Sequence, residues 1–169
     1  MTVREERSDD QIAVREVNDR AFGQPLEGQL VDALRAHGGV LLSLVAVVDG
    51  QVVGHILYTP ASIASDRESV VGAALGPMAV LPEHQRRGIG TKLVEAGNRK
   101  LREDARPFVV VLGHAEYYPR FGFTRASESG IRCEWDVPDD VFMVLALDPD
   151  RMRGVRGTVR YRPEFAEAA

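Results

Sequence analysis

The spacing of hydrophobic residues changes several times along the chain, and each change predicts a different element. Apolar residues recur at helical spacing after Ser8 and again after a break at residues 23–25, which predicts two short helices. Ser8 and Gln11 have the spacing of a capping box for the first helix. From Val40 to Val48 the chain is apolar at both alternating positions, which predicts a strand covered on both faces.

An antiparallel meander is predicted to follow. Asp49-Gly50 is a hairpin signal, and Gln51 to Thr59 makes the return strand. A polar tip from Asp66 to Ser69 precedes a third strand at about residues 70–81. The sequence Gly-Pro at residues 76–77 interrupts that strand, and because proline offers no N–H to a ladder, we expect backbone groups there to be open to a ligand.

The second half of the chain predicts a helical crossover. A helix is expected from Thr91 to Asp104 and a buried strand from Phe108 to Leu112, which implies a parallel pair of strands. A strand from about Phe123, another from Val141 to Leu147 and a loop-like tail after Arg151 complete the prediction. Neither repeats nor linkers interrupt the pattern, so a single domain over residues 1–169 is expected.

Composition and charge limit the classes of function. Hydrophobic residues make up 44% of the 169 residues, charged residues make up 27%, and the formal net charge is −4, which argues against nucleic acid as the main partner. The single cysteine, Cys133, suits a reducing compartment. The charged N-terminal segment lacks the apolar core of a signal peptide, and the apolar runs are too short to span a bilayer. We therefore expect a cytoplasmic protein without membrane contact.

The strongest candidate for chemistry is the segment QRRGIGT at residues 85–91, which we call the glycine loop. It opens into the predicted third helix, whose first N–H groups lack internal partners and carry partial positive charge. Gly88 and Gly90 allow close approach to the backbone, and Arg86 and Arg87 add donors that match phosphate oxygens. The alternative is an ordinary strand-to-helix turn with solvated arginines. The two arginines between the glutamine and the glycines favour an anion site.

The tail contains five arginines, for which there are two interpretations. A strip of basic residues could bind nucleic acid, but only Tyr161 offers an aromatic platform for stacking, and this favours a solvated face. The five residues are Arg151, Arg153, Arg156, Arg160 and Arg162.

Two motifs together resemble those of the GNAT superfamily of acyl-CoA-dependent N-acetyltransferases: VLPEHQRRGIG at residues 80–90 and YYPRFGF at residues 117–123. The segments AFGQPLEGQLVDALR and GVRGTVRYRPEF further resemble its YhbS-like bacterial subgroup. The resemblance implies an α/β (α+β) fold with a mixed, mostly antiparallel twisted sheet. It also implies a central parallel pair of strands splayed at a bulge, and helices on both faces.

The resemblance further implies an acetyl-CoA site and no metal. The pyrophosphate would rest on the glycine loop, and the pantetheine arm would pair with the strand before it. The tyrosine that protonates the departing sulfur falls on Tyr118, four residues before Gly122, although a packing role is the alternative for this side chain. The implied donor-binding residues are Met78, Ala79, Val80, Gln85, Arg86, Arg87, Gly88, Ile89, Gly90 and Thr91.

The general base is left open. Some members of the family carry an acid on the strand before the loop, but this sequence has none between Val70 and Leu81. Glu27 and His114 are the candidates for a base or an acceptor contact, and each has a plainer structural alternative. The expected activity is transfer of an acetyl group from acetyl-CoA to a primary amine of a small molecule or a protein, by direct attack in a ternary complex. The alternative is a catalytically silent acyl-CoA-binding regulatory module, and a homodimer is one assembly that the sequence allows.

Overall fold

The computed structural model describes residues 1–65 and 68–167. Residues 66 and 67 of the predicted polar tip, which begins at Asp66, lie outside the described residues. The strands are β1 (Thr2–Glu5), β2 (Leu42–Val48), β3 (Gln51–Ala64), β4 (Ser69–Val80), β5 (Phe108–Leu112), β6 (Thr124–Arg125), β7 (Ile131–Cys133), β8 (Phe142–Ala146) and β9 (Gly157–Arg160). The α-helices are α1 (Gln11–Phe22), α2 (Leu26–Ala36), α3 (Ile89–Glu103) and α4 (Pro149–Met152).

The chain packs as two compact units that are interleaved in sequence. The first unit comprises Met1–Tyr58, Gly76–Gly97 and Pro163–Ala169. The second comprises Thr59–Leu75 and Asn98–Arg162. The single domain expected over residues 1–169 stays a prediction.

The first unit has helices on both faces of its strands, as the resemblance implies. β1 pairs with β2 and β2 pairs with β3, both antiparallel, and the predicted hairpin has Asp49 and Gly50 at φ values of 49° and 77°. α1 and α2 bury an apolar cluster that includes Leu57 of β3. α3 contacts the opposite face, because Gly54 and Tyr58, which it approaches closely, alternate along β3 with Leu57.

The second unit contains the predicted parallel pair. β4 and β5 are parallel, and their pairing stops at Leu75, next to the predicted break, where Gly76 takes a φ of 146°. β8 pairs antiparallel with both β5 and β6. The end of β3 pairs with β9, which also pairs in parallel with β7. These pairings confirm the predicted fold class, a mixed and mostly antiparallel sheet with one central parallel pair.

The start of α1 differs from the prediction. The carboxylate of Asp10 accepts the Arg7 N–H at 2.7 Å and a guanidinium hydrogen bond from Arg4 at 2.7 Å. The hydrogen bond from Arg4 holds the pKa of Asp10 below its usual value. The capping box predicted for Ser8 and Gln11 is therefore wrong, because a carboxylate with a guanidinium partner is a stronger acceptor than a hydroxyl.

The tail after Arg151 is also more ordered than predicted. It contains β9, whose central Val159 is fully buried, and the prediction of a loop is wrong at this strand. A strand of four residues gives little periodic signal, and its stability comes from partner strands that are distant in sequence. β1 and β7 are similarly short and are absent from the prediction for the same reason.

Candidate active site

The glycine loop connects β4 to α3 within the first unit. Gly88 takes a φ of 82° and Arg86 a φ of 63°, a region that glycine adopts freely and arginine rarely does. Arg86, Arg87 and Gly88 are all exposed. A left-handed residue other than glycine is typical of functional loops. The loop therefore combines an accessible backbone with two accessible guanidinium groups.

The start of α3 leaves backbone donors available. The first hydrogen bond of the helix runs from the Lys92 N–H to the Gly88 carbonyl at 3.1 Å. The N–H groups of Ile89 and Gly90 come before it, and neither has an acceptor among the described residues. With the helix dipole added, this arrangement suits a phosphate group. The helix begins at Ile89 instead of the predicted Thr91, so the last three residues of the glycine loop belong to its first turn.

Two glycines allow α3 to pack closely against β3. A Cβ on Gly54 would stand 3.1 Å from the side chains of both Ile89 and Leu93, which is tighter than ordinary van der Waals contact. A Cβ on Gly97 would overlap the ring of Tyr58, which is fully buried. Because both Cβ atoms are missing, the helix lies close to the strand, and this contact fixes the position of its N-terminus.

The end of β4 presents backbone groups on the edge that faces away from β3. Leu81 donates its N–H to a carbonyl of β3 at 2.8 Å. Since backbone groups alternate along a strand, those of Ala79 point toward β3, whereas those of Val80 and Met78 point away. Gln85 donates from Nε2 to the Val80 carbonyl at 3.0 Å, which joins the glycine loop to the strand. The Val80 N–H and the Met78 backbone have the direction needed to pair with an extended ligand.

The turn before the glycine loop is tied to α1 by an ion pair. Arg20 donates to both carboxylate oxygens of Glu83, at 3.0 and 2.8 Å. A hydrogen bond from its own backbone N–H and the hydrogen bond from Arg20 lower the pKa of Glu83. Sequence reasoning missed this pair, because 63 positions separate the two residues and no motif spacing connects them.

Glu27, one candidate for the base, lies half-buried in the first turn of α2. Gln24 donates its side-chain N–H groups to the two carboxylate oxygens, at 2.6 and 3.2 Å. This hydrogen bond holds the carboxylate in place. A role for Glu27 as the base stays a prediction.

In the second unit, Tyr118 begins a 3-10 turn that follows β5. Its side chain is 6% exposed and meets the rings of Tyr117 and Phe123 edge to face, with centroids 5.2 and 5.7 Å away. A Cβ on Gly113 would overlap the Tyr118 ring. Burial, and secondarily Tyr117, raise the pKa of Tyr118 to about 12. No described residue hydrogen-bonds its hydroxyl, which is therefore a neutral O–H donor at physiological pH.

His114 and Tyr118 are brought together by the same turn. The His114 carbonyl accepts the N–H groups of Tyr117 and Tyr118, at 3.1 and 3.3 Å. His114 is exposed. Its role as a base or an acceptor contact stays a prediction.

Neither a metal cluster nor a membrane-crossing helix is found in the described part of the chain. Among residues 1–65 and 68–167, no group of three or more His, Cys, Asp and Glu side chains could hold a metal ion. Within the same ranges, no helix is long and apolar enough to cross a membrane.

Comparison with known proteins identifies the family. The model of the acetyltransferase (GNAT) domain matches residues 41–125. The chain is 40% identical to the uncharacterized N-acetyltransferase YjhQ of Escherichia coli K12 over 130 residues, which cover 75% of this chain and 72% of YjhQ. It is 36% identical to the uncharacterized N-acetyltransferase YhbS of the same strain over 147 residues, which cover 86% of this chain and 87% of YhbS.

Two solved structures agree with this assignment. E. coli YhbS in complex with CoA has a TM-score of 0.92 at 32% identity, covering 98% of this chain and 91% of that one. A GNAT family acetyltransferase from Brucella melitensis in complex with acetyl-CoA has a TM-score of 0.79 at 38% identity and covers 97% of both chains. The resemblance in sequence is thereby confirmed over nearly the whole length of the chain, which belongs to the GNAT family of acyl-CoA-dependent N-acetyltransferases.

Proposed function

We propose that this protein transfers an acetyl group from acetyl-CoA to a primary amine of a small molecule or a protein, by direct attack in a ternary complex. The observation that carries the proposal is the glycine loop, where the amides of Ile89 and Gly90 and the guanidinium groups of Arg86 and Arg87 suit a pyrophosphate. The complexes of the two relatives with CoA and acetyl-CoA support the same donor.

The edge of β4 is proposed to align the thioester arm. An extended pantetheine can pair with the backbone of Met78 and with the Val80 N–H, as a peptide adds to a sheet edge. The same N–H can donate to the thioester oxygen as negative charge develops there. Gln85 supports this arrangement because it occupies the Val80 carbonyl and keeps the end of the strand in one orientation.

Tyr118 is proposed to stabilise the departing sulfur. Its pKa of about 12 lies roughly 3 to 4 units above that of an ordinary thiol. Complete proton transfer to a free thiolate is therefore uphill, whereas a hydrogen bond from the neutral O–H to the developing thiolate is favourable. Over the reaction the amine nitrogen loses one proton and the sulfur gains one. Any proton that Tyr118 gives is replaced from the nitrogen, directly or through Glu27, His114 or water.

Replacement of Tyr118 by phenylalanine tests this assignment. We expect kcat to fall by about 10- to 100-fold, because one hydrogen bond to the developing charge is lost, while the Kd for acetyl-CoA changes little. The rise of kcat/KM between pH 7 and 10, which follows deprotonation of the acceptor amine, should persist in the Tyr118→Phe variant, since the Tyr118 hydroxyl keeps its proton up to about pH 12. Unchanged turnover on a genuine acceptor would remove Tyr118 from the mechanism.

The activity itself is tested by a CoA-release screen across amines, polyamines, amino acids, aminoglycosides and peptide N-termini. Release of CoA that depends on an acceptor is the expected result. Tight acetyl-CoA binding without release on any acceptor would support the silent binding module instead. We also propose a cytoplasmic location, from the single cysteine. A homodimer stays a prediction that light scattering can test.

A further inference from the structure

The second unit contains a cavity of about 900 Å³, which we call the arginine pocket. Four of the five tail arginines line it, so their interpretation as a solvated face is incomplete. None of its described lining residues belongs to the glycine loop. The charged residues among them are Glu68, Arg132, Arg151, Arg153, Arg156 and Arg160.

Strand alternation builds one wall of the pocket. In the ladder formed by β3, β9 and β7, Thr158 stands opposite both Ala64 and Arg132. This row is adjacent to Val159, whose side chain is fully buried, so the side chains of the row point away from the core. Arg160 lies two positions after Thr158 and shares its face. The fold therefore gathers arginines from two strands on one surface.

The segment between α4 and β9 adds another arginine. The Nε atom of Arg156 lies 3.0 Å from the position that a Cβ on Gly130 would take, and the Gly157 N–H donates to the Gly130 carbonyl at 3.1 Å. Gly130 and Gly157 have φ values of 71° and 140°, which side chains other than glycine rarely adopt. The missing Cβ on Gly130 lets the Arg156 side chain lie directly on the backbone.

The charge of the pocket is unbalanced. Among the described residues, two of the five guanidinium groups pair with a carboxylate, one with Asp150 at 2.8 Å and one with Glu134 at 3.4 Å. The guanidinium of Arg151 donates to the Ala105 carbonyl at 3.3 Å. No carboxylate in the described part of the chain pairs with Arg132 or Arg156. With two of the five arginines paired and Glu68 as the carboxylate of the described lining, positive charge is still in excess at the pocket in a chain whose net charge is −4. Such a local positive field attracts and concentrates anions.

We propose that the arginine pocket binds a small anion with at least two linked phosphate groups. The planar guanidinium fork matches phosphate oxygens in pairs, and linked phosphates place several charges within the reach of neighbouring arginines. A volume of about 900 Å³ is that of a small-molecule site. The described lining has no aromatic side chain for base stacking, and the negative net charge disfavours a long nucleic acid. This proposal does not depend on acetyl transfer, because the pocket and the glycine loop share no described residue.

Titration calorimetry with inorganic tripolyphosphate tests the proposal at low ionic strength. We expect binding that weakens as salt is added. In the double variant Arg132→Gln and Arg156→Gln, the Kd for tripolyphosphate should rise by about tenfold or more, while the Kd for CoA stays within about twofold. Arg102→Gln is the matched control, because Arg102 is an exposed arginine of the same unit outside the pocket lining, and it should leave both constants unchanged.

Titrations with further ligands show whether the pocket prefers a free phosphate chain, a nucleotide or another kind of polyanion. Equal affinity for ATP and tripolyphosphate would indicate the phosphate chain alone, and tighter binding of ATP would indicate a nucleotide; both outcomes support the proposal. Tighter binding of oligoglutamate or of single-stranded DNA would overturn it. So would the absence of tripolyphosphate binding at low salt. If CoA displaces tripolyphosphate and the double variant binds tripolyphosphate as tightly as the wild type does, then tripolyphosphate binds at the glycine loop. That outcome would also overturn the proposal.

Discussion

The glycine loop of the first unit and the arginine pocket of the second are both suited to anions, but they use different parts of the polypeptide. The loop offers backbone amides at a helix N-terminus, from residues that are consecutive in sequence. The pocket offers guanidinium groups from two segments that are separate in sequence, β7 and residues 151–160. The first depends on the path of the backbone, and the second depends on which side chains the strands present.

This difference determines what can disrupt each site. A backbone donor remains when its side chain is replaced, so the glycine loop should be sensitive to changes that move α3 or alter a φ angle. A guanidinium donor is lost by substitution, and an exposed one is screened by salt. Structural changes should therefore weaken CoA binding more than charge changes do, and the reverse should hold for the arginine pocket.

Gly97→Ala should give the largest effect. Alanine in a helix interior is normally about 1 kcal/mol more favourable than glycine, but here its Cβ would overlap the ring of Tyr58. Overpacking of a buried site costs about 1 to 3 kcal/mol, so after the gain in helix propensity we expect a net loss of unfolding free energy of up to about 2 kcal/mol, with weaker CoA binding. Urea denaturation measures the unfolding free energy, and titration calorimetry measures the affinity for CoA. Tyr58→Leu in the same chain should restore part of the loss, and a stabilised Gly97→Ala variant would show that the packing is loose.

Gly88→Ala should weaken CoA binding by about tenfold. A left-handed φ costs a residue with a Cβ about 1 to 2 kcal/mol, and the space around Gly88 is open, so the effect comes from the backbone angle and not from a clash. Gly38→Ala is the matched control, since Gly38 also has a positive φ, of 69°, and open space, but it lies at the end of α2. The control should lower stability without a change in CoA affinity. Equal affinities for CoA in the two variants would contradict the backbone assignment.

The same contrast explains how much of the site could be predicted from the sequence. The position of the glycine loop at the start of α3 could be predicted because its residues are consecutive and include two glycines, whereas its role in binding CoA stays a prediction. The parallel pair of β4 and β5 was predicted because the crossover helix has a clear helical period and the buried strand is a continuous apolar run. The arginine pocket could not be predicted, because Arg132 is brought beside the tail only by the pairing of β7 with β9.

Supporting contacts were missed for related reasons. The ion pair between Arg20 and Glu83 joins residues that no periodicity relates. The capping box before α1 was misassigned because the Asp10 carboxylate accepts the Arg7 N–H and is also held by Arg4. Arg4 belongs to β1, a strand too short and too charged to be predicted. Local signals were reliable for the backbone path of the glycine loop, and they were not where tertiary pairing selects the partners.

Two substitutions of Arg86 compare the contribution of its backbone conformation to CoA binding with that of its side chain. Its φ of 63° is natural for glycine, so Arg86→Gly removes the guanidinium and relieves the backbone strain, whereas Arg86→Ala removes the guanidinium and keeps the strain that the Cβ of the arginine already causes. We expect the Kd for CoA to rise by about threefold in Arg86→Ala and by a similar factor in Arg86→Gly, because both variants lose the same side-chain hydrogen bonds. Pantetheine, which lacks the pyrophosphate, should bind with unchanged affinity to Arg86→Gly. Equal losses for CoA and pantetheine would exclude a contact between Arg86 and the phosphates.

Glu83→Gln should have the smallest effect. The carboxylate and its partner Arg20 are 48% and 42% exposed, and exposed ion pairs contribute little because water and salt screen them. We expect the Kd for CoA to change by less than about twofold at pH 7. The pKa of Glu83 is lowered in the folded state, so its contribution to stability is fully present above the usual glutamate pKa and is lost as the pH falls through the lowered value. Thermal unfolding of the wild type and the variant should thus differ by a constant amount from pH 7 to 5 and converge in more acidic solution. A difference that instead grows on acidification would mean that the pair with Arg20 does not stabilise the charged form of Glu83.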